Sequence, residues 1–171
     1  TQETRKTMEP QHLPEIAPIS DDPQRRQWND YYRSRTPNPD PWLDRHILRF
    51  RSTDTCVILD LGCGDGTNIP SLCGTGSIVH ALDYSTEAIA HLPQTPQIHA
   101  RVADMREPLP YPDAYFDLIV SDLSLHYFSE SETRRIITEV SRILKPEAIL
   151  VARLNSSNDT EHGAGQGRLI E

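Results

Sequence analysis

The stretch Cys56-Val57-Ile58-Leu59-Asp60-Leu61-Gly62-Cys63-Gly64-Asp65-Gly66-Thr67 sets a short apolar run directly against a turn with a glycine at every second position. A run of this length bounded by turn residues predicts a strand buried on both faces. A glycine-rich turn that follows such a strand and leads into a helix is where open α/β sheets bind ligands. Gly62, Gly64 and Gly66 let the backbone turn tightly and approach a ligand with no Cβ in the way. The spacing excludes two common nucleotide loops. Thr67 stands where a dinucleotide fingerprint wants its third glycine, and there is no lysine of the kind a phosphate-cradling loop needs. Asp60 and Asp65 flank the turn, and two carboxylates there oppose a pyrophosphate while favouring a ligand with an ammonium or sulfonium group.

Outward from this turn, Ser77 to Leu82, Ile98 to Ala103, Phe116 to Val120 and Ala148 to Leu154 read as further strands. Helical stretches lie between them. In Ser129 to Leu144, Ser129 and Glu132 form a capping-box pattern, Ile136, Ile137, Val140, Ile143 and Leu144 make one apolar face, and Lys145-Pro146 supplies a stop. A shorter helix from Ser85 to Leu92 ends before Pro93. Strands alternating with helices predict right-handed crossovers and an α/β fold, a doubly wound, mostly parallel sheet with helices on both faces. On the amino-terminal side, Trp28, Tyr31 and Tyr32 precede a turn at Pro37 to Pro41, and Trp42, Leu43, Ile47, Leu48 and Phe50 follow at helical spacing. Two short helices around a turn are expected there.

Residues 1–24, with Pro10, Pro14, Pro18 and Pro23 among charges, are expected as a disordered tail, and residues 25–155 as the single domain. Residues 156–171 are expected as a flexible segment, since Gly163, Gly165 and Gly167 have no strand-to-helix context. The 171 residues carry 25 acidic and 17 basic side chains, a formal charge of −8 that repels phosphate backbones, so nucleic acid is not an expected partner. No apolar run reaches the roughly 20 residues of a membrane helix. Three cysteines without C-x-x-C spacing imply neither metal nor haem and fit reduced thiols in a cytoplasmic protein.

Successive strand tips offer acids. A-L-D-Y-S places Asp83 at the second tip, 23 residues after Asp60, where a carboxylate can accept both hydroxyls of a ribose. V-A-D-M puts Asp104 and Met105 at the third, an acceptor for an adenine amino group beside a side chain that can lie on the ring.

The ordered set D-L-G-C-G-D-G-T, A-L-D-Y-S, V-A-D-M, F-D-L-I-V-S-D-L-S-L-H-Y-F and R-I-L-K-P resembles the class I S-adenosylmethionine-dependent methyltransferases over about Trp28 to Asn155. The resemblance implies a Rossmann-like methyltransferase fold, S-adenosylmethionine as cofactor, and a small molecule or protein side chain as methyl acceptor. It implies that Asp60, Gly62, Cys63 and Gly64 hold the methionine moiety, that Asp83 takes the ribose with Tyr84 beside the adenine, and that Asp104 and Met105 take the adenine. Ser121 falls near the methionine end, and W-N-D-Y-Y resembles an aromatic lid helix, with Trp28 and Tyr32 facing the cofactor. His126, and behind it Asp122, are the candidate bases, needed if the acceptor must lose a proton. Lys145-Pro146-Glu147-Ala148 replaces the K-P-G-G turn of the family, and the family's last helix and two strands are expected to be missing. A fifth strand left at the sheet edge could then pair with another copy. The alternative reading is a cofactor-binding module without catalysis, and an NAD-dependent oxidoreductase ranks third because the glycine spacing and Asp60 oppose it.

Overall fold

The computed structural model describes residues 13–38, 40–47 and 56–156. Five strands form one wholly parallel sheet, β1 (Val57–Leu61), β2 (Ile78–Asp83), β3 (Ile98–Val102), β4 (Phe116–Asp122) and β5 (Leu144–Arg153), in the order β3-β2-β1-β4-β5. The chain therefore winds outward from β1 to one edge and then returns to β1's other side. The reversal opens a crevice between the carboxyl ends of β1 and β4, and the glycine-rich turn stands at that end of β1. This is the doubly wound α/β arrangement expected from the sequence.

Each face of the sheet has its own core, because side chains alternate along a strand. Val57, Leu59 and Leu61 of β1 pack with Ile136, Val140 and Ile143 of α5 (Glu130–Ile143) on one face. On the other, Ile58, Val79, Ala81, Leu118 and Val120 pack with Ile69 and Leu72 of α3 (Ile69–Cys73) and with Leu43 and Ile47. Leu43 closes a 3-10 turn (Pro41–Leu43) that runs into α2 (Asp44–Ile47). The continuation expected at Leu48 and Phe50 lies outside the described residues, as do residues 1–12 of the expected tail and Gly163, Gly165 and Gly167.

The capping box is formed as the sequence implies. Ser129 Oγ accepts from the Glu132 amide and Glu132 accepts from the Ser129 amide at 2.9 Å, so α5 starts with two of its free donors satisfied. Asp117 is structural, accepting from the Val57 amide at 2.8 Å and from Lys145 Nζ at 2.7 Å, and so ties β4 to both neighbours.

Two segments differ from the sequence expectation. Residues 13–22, expected within the tail, lie against the domain: Leu13 and Ile16 pack on the α5 face, and Arg101 Nη2 donates to the Pro14 carbonyl at 2.9 Å. Two apolar side chains three apart and one guanidinium give this proline-rich stretch an anchorage that local composition does not show. The helix α1 (Pro23–Arg33) then begins one residue after Asp22, whose carboxylate accepts from the Arg25 amide at 2.9 Å.

The second difference is at Lys145-Pro146. The helix ends at Ile143 and the strand begins at once with Leu144 opposite Phe116, so the expected turn is an irregularity inside β5. Glu147 adopts φ +63° there, the left-handed region that disfavours residues with a Cβ. Its side chain is exposed. Glu147→Gly is therefore expected to raise stability by about 0.5–1 kcal/mol, the relief of strain exceeding the extra entropy of a glycine in the unfolded chain. Urea unfolding of the two proteins checks the sign.

Candidate functional site

Leu61 ends β1, and the turn that follows is pinned to the neighbouring strand: the Gly62 and Cys63 amides both donate to the Leu82 carbonyl, at 2.8 and 3.0 Å. Asp83, one residue further along β2, clamps two segments at once. Its Oδ2 accepts from the Gly64 amide and its Oδ1 from the Ser85 amide, each at 2.8 Å. Two further lone pairs remain on that carboxylate for a ligand. Ser85 in turn caps α4 (Thr86–Ala90) through the Ala88 amide.

A cleft at these strand tips is lined by Trp28, Tyr32, Gly62, Asp83, Tyr84, Asp104, Met105, Arg106, Asp122, Ser124, Tyr127 and their neighbours. Eight of the residues singled out from sequence thus meet in one place: Trp28, Tyr32, Gly62, Asp83, Tyr84, Asp104, Met105 and Asp122. Cys63 and Gly64 line a second cavity on the other side of the turn, which shares Trp28, Tyr32, Gly62, Asp122, Leu123 and Tyr127 with the first.

Asp60, Ser121 and His126 line neither cavity. Ser121 is fully buried, its hydroxyl 2.6 Å from that of Ser124, and Ser124 is the hydroxyl that faces the cleft. β4 is buried on both faces from Leu118 to Ser121, and Ser121 lies inside with it. His126 sits in a 3-10 turn (Leu125–Tyr127) with Nε2 3.5 Å from Asn155 Nδ2, its ring against Tyr127. The turn brings Tyr127 into the cleft in place of the histidine expected as base.

The glycines do something other than leave room for a ligand. A Cβ on Gly62, at φ +74°, would lie 2.5 Å from Ser124 Cβ, and one on Gly64, at φ +53°, would lie 2.7 Å from the Tyr32 hydroxyl. The turn's missing side chains admit Ser124 and Tyr32. Tyr32 comes from α1, which is held over the site by Asn29: its Oδ1 accepts from Ser85 Oγ at 2.7 Å. Asp22, the cap of α1, also bonds the Tyr84 hydroxyl, and that bond holds its carboxyl down at about 2. Trp28 then stacks with Tyr32 at 6.0 Å and meets Tyr127 edge-on at 4.9 Å.

Sequence reasoning missed the partners of the acids. Asp104, expected free for an adenine, accepts from Arg106 Nε at 3.0 Å and Nη2 at 2.7 Å, and that guanidinium lies 5.3 Å over the Tyr84 ring. An arginine two residues after an aspartate is visible in sequence, and Asp104-Met105-Arg106 could have been read as a pair. Asp122 is bound more fully. Arg153 Nε donates to Oδ1 at 2.6 Å, while Arg153 Nη2, Trp42 Nε1 and Asn68 Nδ2 all donate to Oδ2. Asp122, expected as the second candidate base, thus has its oxygens committed to Arg153, Trp42 and Asn68. Leu123 follows it at φ +51°, a strained conformation held by its amide's bond to the Arg153 carbonyl.

Asp60 is the opposite case. It is 0% exposed, and neither carboxyl oxygen has a hydrogen-bond partner among the described residues. Burial, reinforced by the nearby charges of Asp122 and Asp83 and offset only in part by the Asn68 side chain, raises its pKa from 3.8 to about 8. The folded chain keeps that proton over a range in which the unfolded chain has lost it, so Asp60 lowers stability progressively as pH rises from about 4 to about 8. Asp60→Asn is expected to be more stable than the parent at pH 8 by on the order of 2–4 kcal/mol, with the gap closing toward pH 4. Urea midpoints at several pH values measure it; parallel curves for the two proteins would show that Asp60 is ionised in the fold.

Among the described residues, no group of three or more His, Cys, Asp or Glu side chains is arranged to hold a metal ion. Burial pushes the Cys63 thiol up, away from reactivity.

A family described as "Methyltransferase domain" matches residues 59–152. An uncharacterized methyltransferase of Synechocystis sp. is 33% identical over 92 residues, covering 54% of this chain and 43% of that protein. A probable S-adenosylmethionine-dependent methyltransferase of Mycobacterium tuberculosis is 28% identical over 115 residues, covering 64% of this chain and 41% of that protein. The chain thus spans less than half the length of these relatives. Among solved structures, an S-adenosylmethionine-dependent methyltransferase from Mesorhizobium loti superposes with a TM-score of 0.56 at 30% identity, covering 66% of this chain and 52% of that one.

Proposed function

Because the chain belongs to the methyltransferase domain family, within the class I S-adenosylmethionine-dependent superfamily, we propose that it transfers a methyl group from S-adenosylmethionine to a small molecule or a protein side chain. The observation that carries the reading is the pairing of a buried, unpartnered Asp60 carboxyl with Asp83 at the tips of adjacent strands beside the cleft. These residues fit the cofactor. An ammonium group at the turn favours loss of the proton that burial keeps on Asp60, and the lone pairs left on Asp83 suit a pair of ribose hydroxyls. Tyr84 and Met105 supply flat and polarizable walls for an adenine, with the Asp104–Arg106 pair at its edge.

When bound, S-adenosylmethionine supplies a methyl group already activated by the sulfonium. The protein's part is then to orient the acceptor and exclude water, and Trp28, Tyr32 and Tyr127 close the mouth of the cleft for that purpose. Ligand contact at Gly64 requires the Tyr32 ring to move off that turn, because it fills the space above it. No proton is routed through His126, which faces Asn155, or through Asp122, whose lone pairs are taken. A cytoplasmic setting is part of the same proposal.

Calorimetric titration with S-adenosylmethionine and S-adenosylhomocysteine tests the reading, together with Asp83→Asn, which keeps one acceptor and loses the charge. About tenfold or greater weakening is expected from the loss of charge-assisted bonds. Absence of binding by the parent chain would reject the function, and binding without methyl transfer to any acceptor would favour the non-catalytic module.

We also propose self-association through β5. It pairs with β4 alone among the described residues, and Ile137 and Leu154 beside it are 39% and 55% exposed. Sedimentation velocity of the 171-residue chain is expected to show a dimer that Ala148→Pro, which breaks the edge, converts to monomer; a monomer at all concentrations rejects the edge as an interface.

A further inference from the structure

The second cavity, of about 380 Å³, opens onto the proposed cofactor cleft across Trp28, Tyr32 and Asp122, and nothing in the methyl-transfer scheme yet uses it. Its lining has two sides of different chemistry. One is aromatic: Tyr31 meets Tyr32 edge-on at 5.0 Å and Trp28 edge-on at 5.7 Å, and Tyr127 completes the wall. The other is acidic, with Asp40, Asp65 and Asp122.

Two guanidinium groups face this cavity, and both are committed. Arg153 donates to Asp122 through Nε and Nη2 and to Asp40 through Nη1 at 2.6 Å, while its guanidinium lies 4.6 Å over the Trp42 ring. Arg35 donates from Nε to Asp65, a carboxylate only 4% exposed, at 3.0 Å. Three carboxylates against two guanidinium groups leave the lining with one net negative charge. Among the described residues, an anionic acceptor therefore meets repulsion with no uncommitted guanidinium in the lining to offset it, whereas a cationic one is attracted by the net negative charge and by the aromatic faces.

The chain itself shows what the aromatic wall accepts. The Arg35 guanidinium lies 4.9 Å over the Tyr31 ring while also donating to the Tyr31 hydroxyl and to Asp65. A cation held between an aromatic face and a buried carboxylate is thus already present at the rim, contributed by the protein's own side chain.

We propose that this cavity is the acceptor site and that it selects a methyl acceptor bearing a cationic nitrogen, seated between the Trp28, Tyr31, Tyr32 and Tyr127 rings and the Asp40, Asp65 and Asp122 carboxylates. The proposal rests on the methyl-transfer reading. It concerns how the acceptor is recognised, not which of its atoms is methylated.

The test uses the full chain saturated with S-adenosylhomocysteine and three probes by calorimetry: choline, its uncharged isostere 3,3-dimethylbutan-1-ol, and propionate. Choline is expected to bind about tenfold more tightly than the isostere, with propionate weakest. Tyr31 and Asp40 line this cavity and not the cofactor cleft. Tyr31→Leu and Asp40→Asn are accordingly expected to weaken choline about fivefold or more with the affinity for S-adenosylhomocysteine unchanged, and Tyr31→Phe, which keeps the ring, to retain choline binding. Equal affinity for choline and the isostere, tighter binding of propionate, or no choline binding overturns the proposal. Failure of S-adenosylhomocysteine to bind in the first step strikes the cofactor reading instead, and the two results are read separately.

Discussion

Parallel strands that start from a central β1 and wind to both sides bring their carboxyl ends, and whatever side chains stand there, to one edge of the sheet. In this chain those side chains are acids. Asp60, Asp83 and Asp122 lie at the carboxyl ends of three adjacent strands, and none can be moved away from the others without breaking the register that holds Asp60 opposite Ala81 and Val120. Like charges at that range, out of water, have to be neutralised by hydrogen bonds, by ion pairs or by protons. The structure uses a different solution for each: backbone amides for Asp83, the Arg153–Trp42–Asn68 set for Asp122, and a retained proton for Asp60.

Those solutions decide where the rest of the chain goes. Satisfying Asp122 recruits the 3-10 turn that carries Trp42 and the last residue of β5, so the segment before the sheet and the end of the sheet are joined at the site. Asp40, the cap of that turn, binds the same guanidinium. Satisfying Asp83 fixes the glycine-rich turn, and the two glycines that allow it admit Ser124 from below and Tyr32 from α1. The aromatic helix therefore lies over the crevice as a consequence of the turn's shape, while Asn29 and Asp22 fix its angle through Ser85 and Tyr84.

A functional consequence follows from the unequal treatment of the acids. Asp122, whose oxygens accept four hydrogen bonds, is fixed in place and reaches a ligand only through the charge that its partners leave over. The one left without a partner is a place where the fold tolerates cost at the expense of stability, and such places mark ligand sites more reliably than proximity does. Asp60 lies behind the lining of both cavities and holds its proton there, so it acts on a ligand through the side chains in front of it, and through charge once a cationic ligand draws that proton off.

Much of this was legible in the sequence because its signals are local. Apolar runs of strand length, the capping box of Ser129 and Glu132, and an acid at or near the carboxyl end of each of the first three strands are patterns within a few residues; they specified a doubly wound sheet with Gly62, Asp83, Asp104 and Met105 at one cleft, and the family resemblance added Trp28, Tyr32 and Tyr84 to it. What the sequence left open was which polar groups satisfy one another. Trp42 reaches Asp122 across 80 positions and Asp40 reaches Arg153 across 113, and no periodicity encodes such pairs. The same holds for the side of a strand or turn that a residue presents. Ser121 and His126 are each a few positions from residues that do face the cleft; Ser121 is enclosed in a strand buried on both faces, and one turn of 3-10 helix presents Tyr127 instead of His126. Local pattern sets the direction of the chain; the saturation of buried charges, which depends on every element that packs against them, is settled in three dimensions.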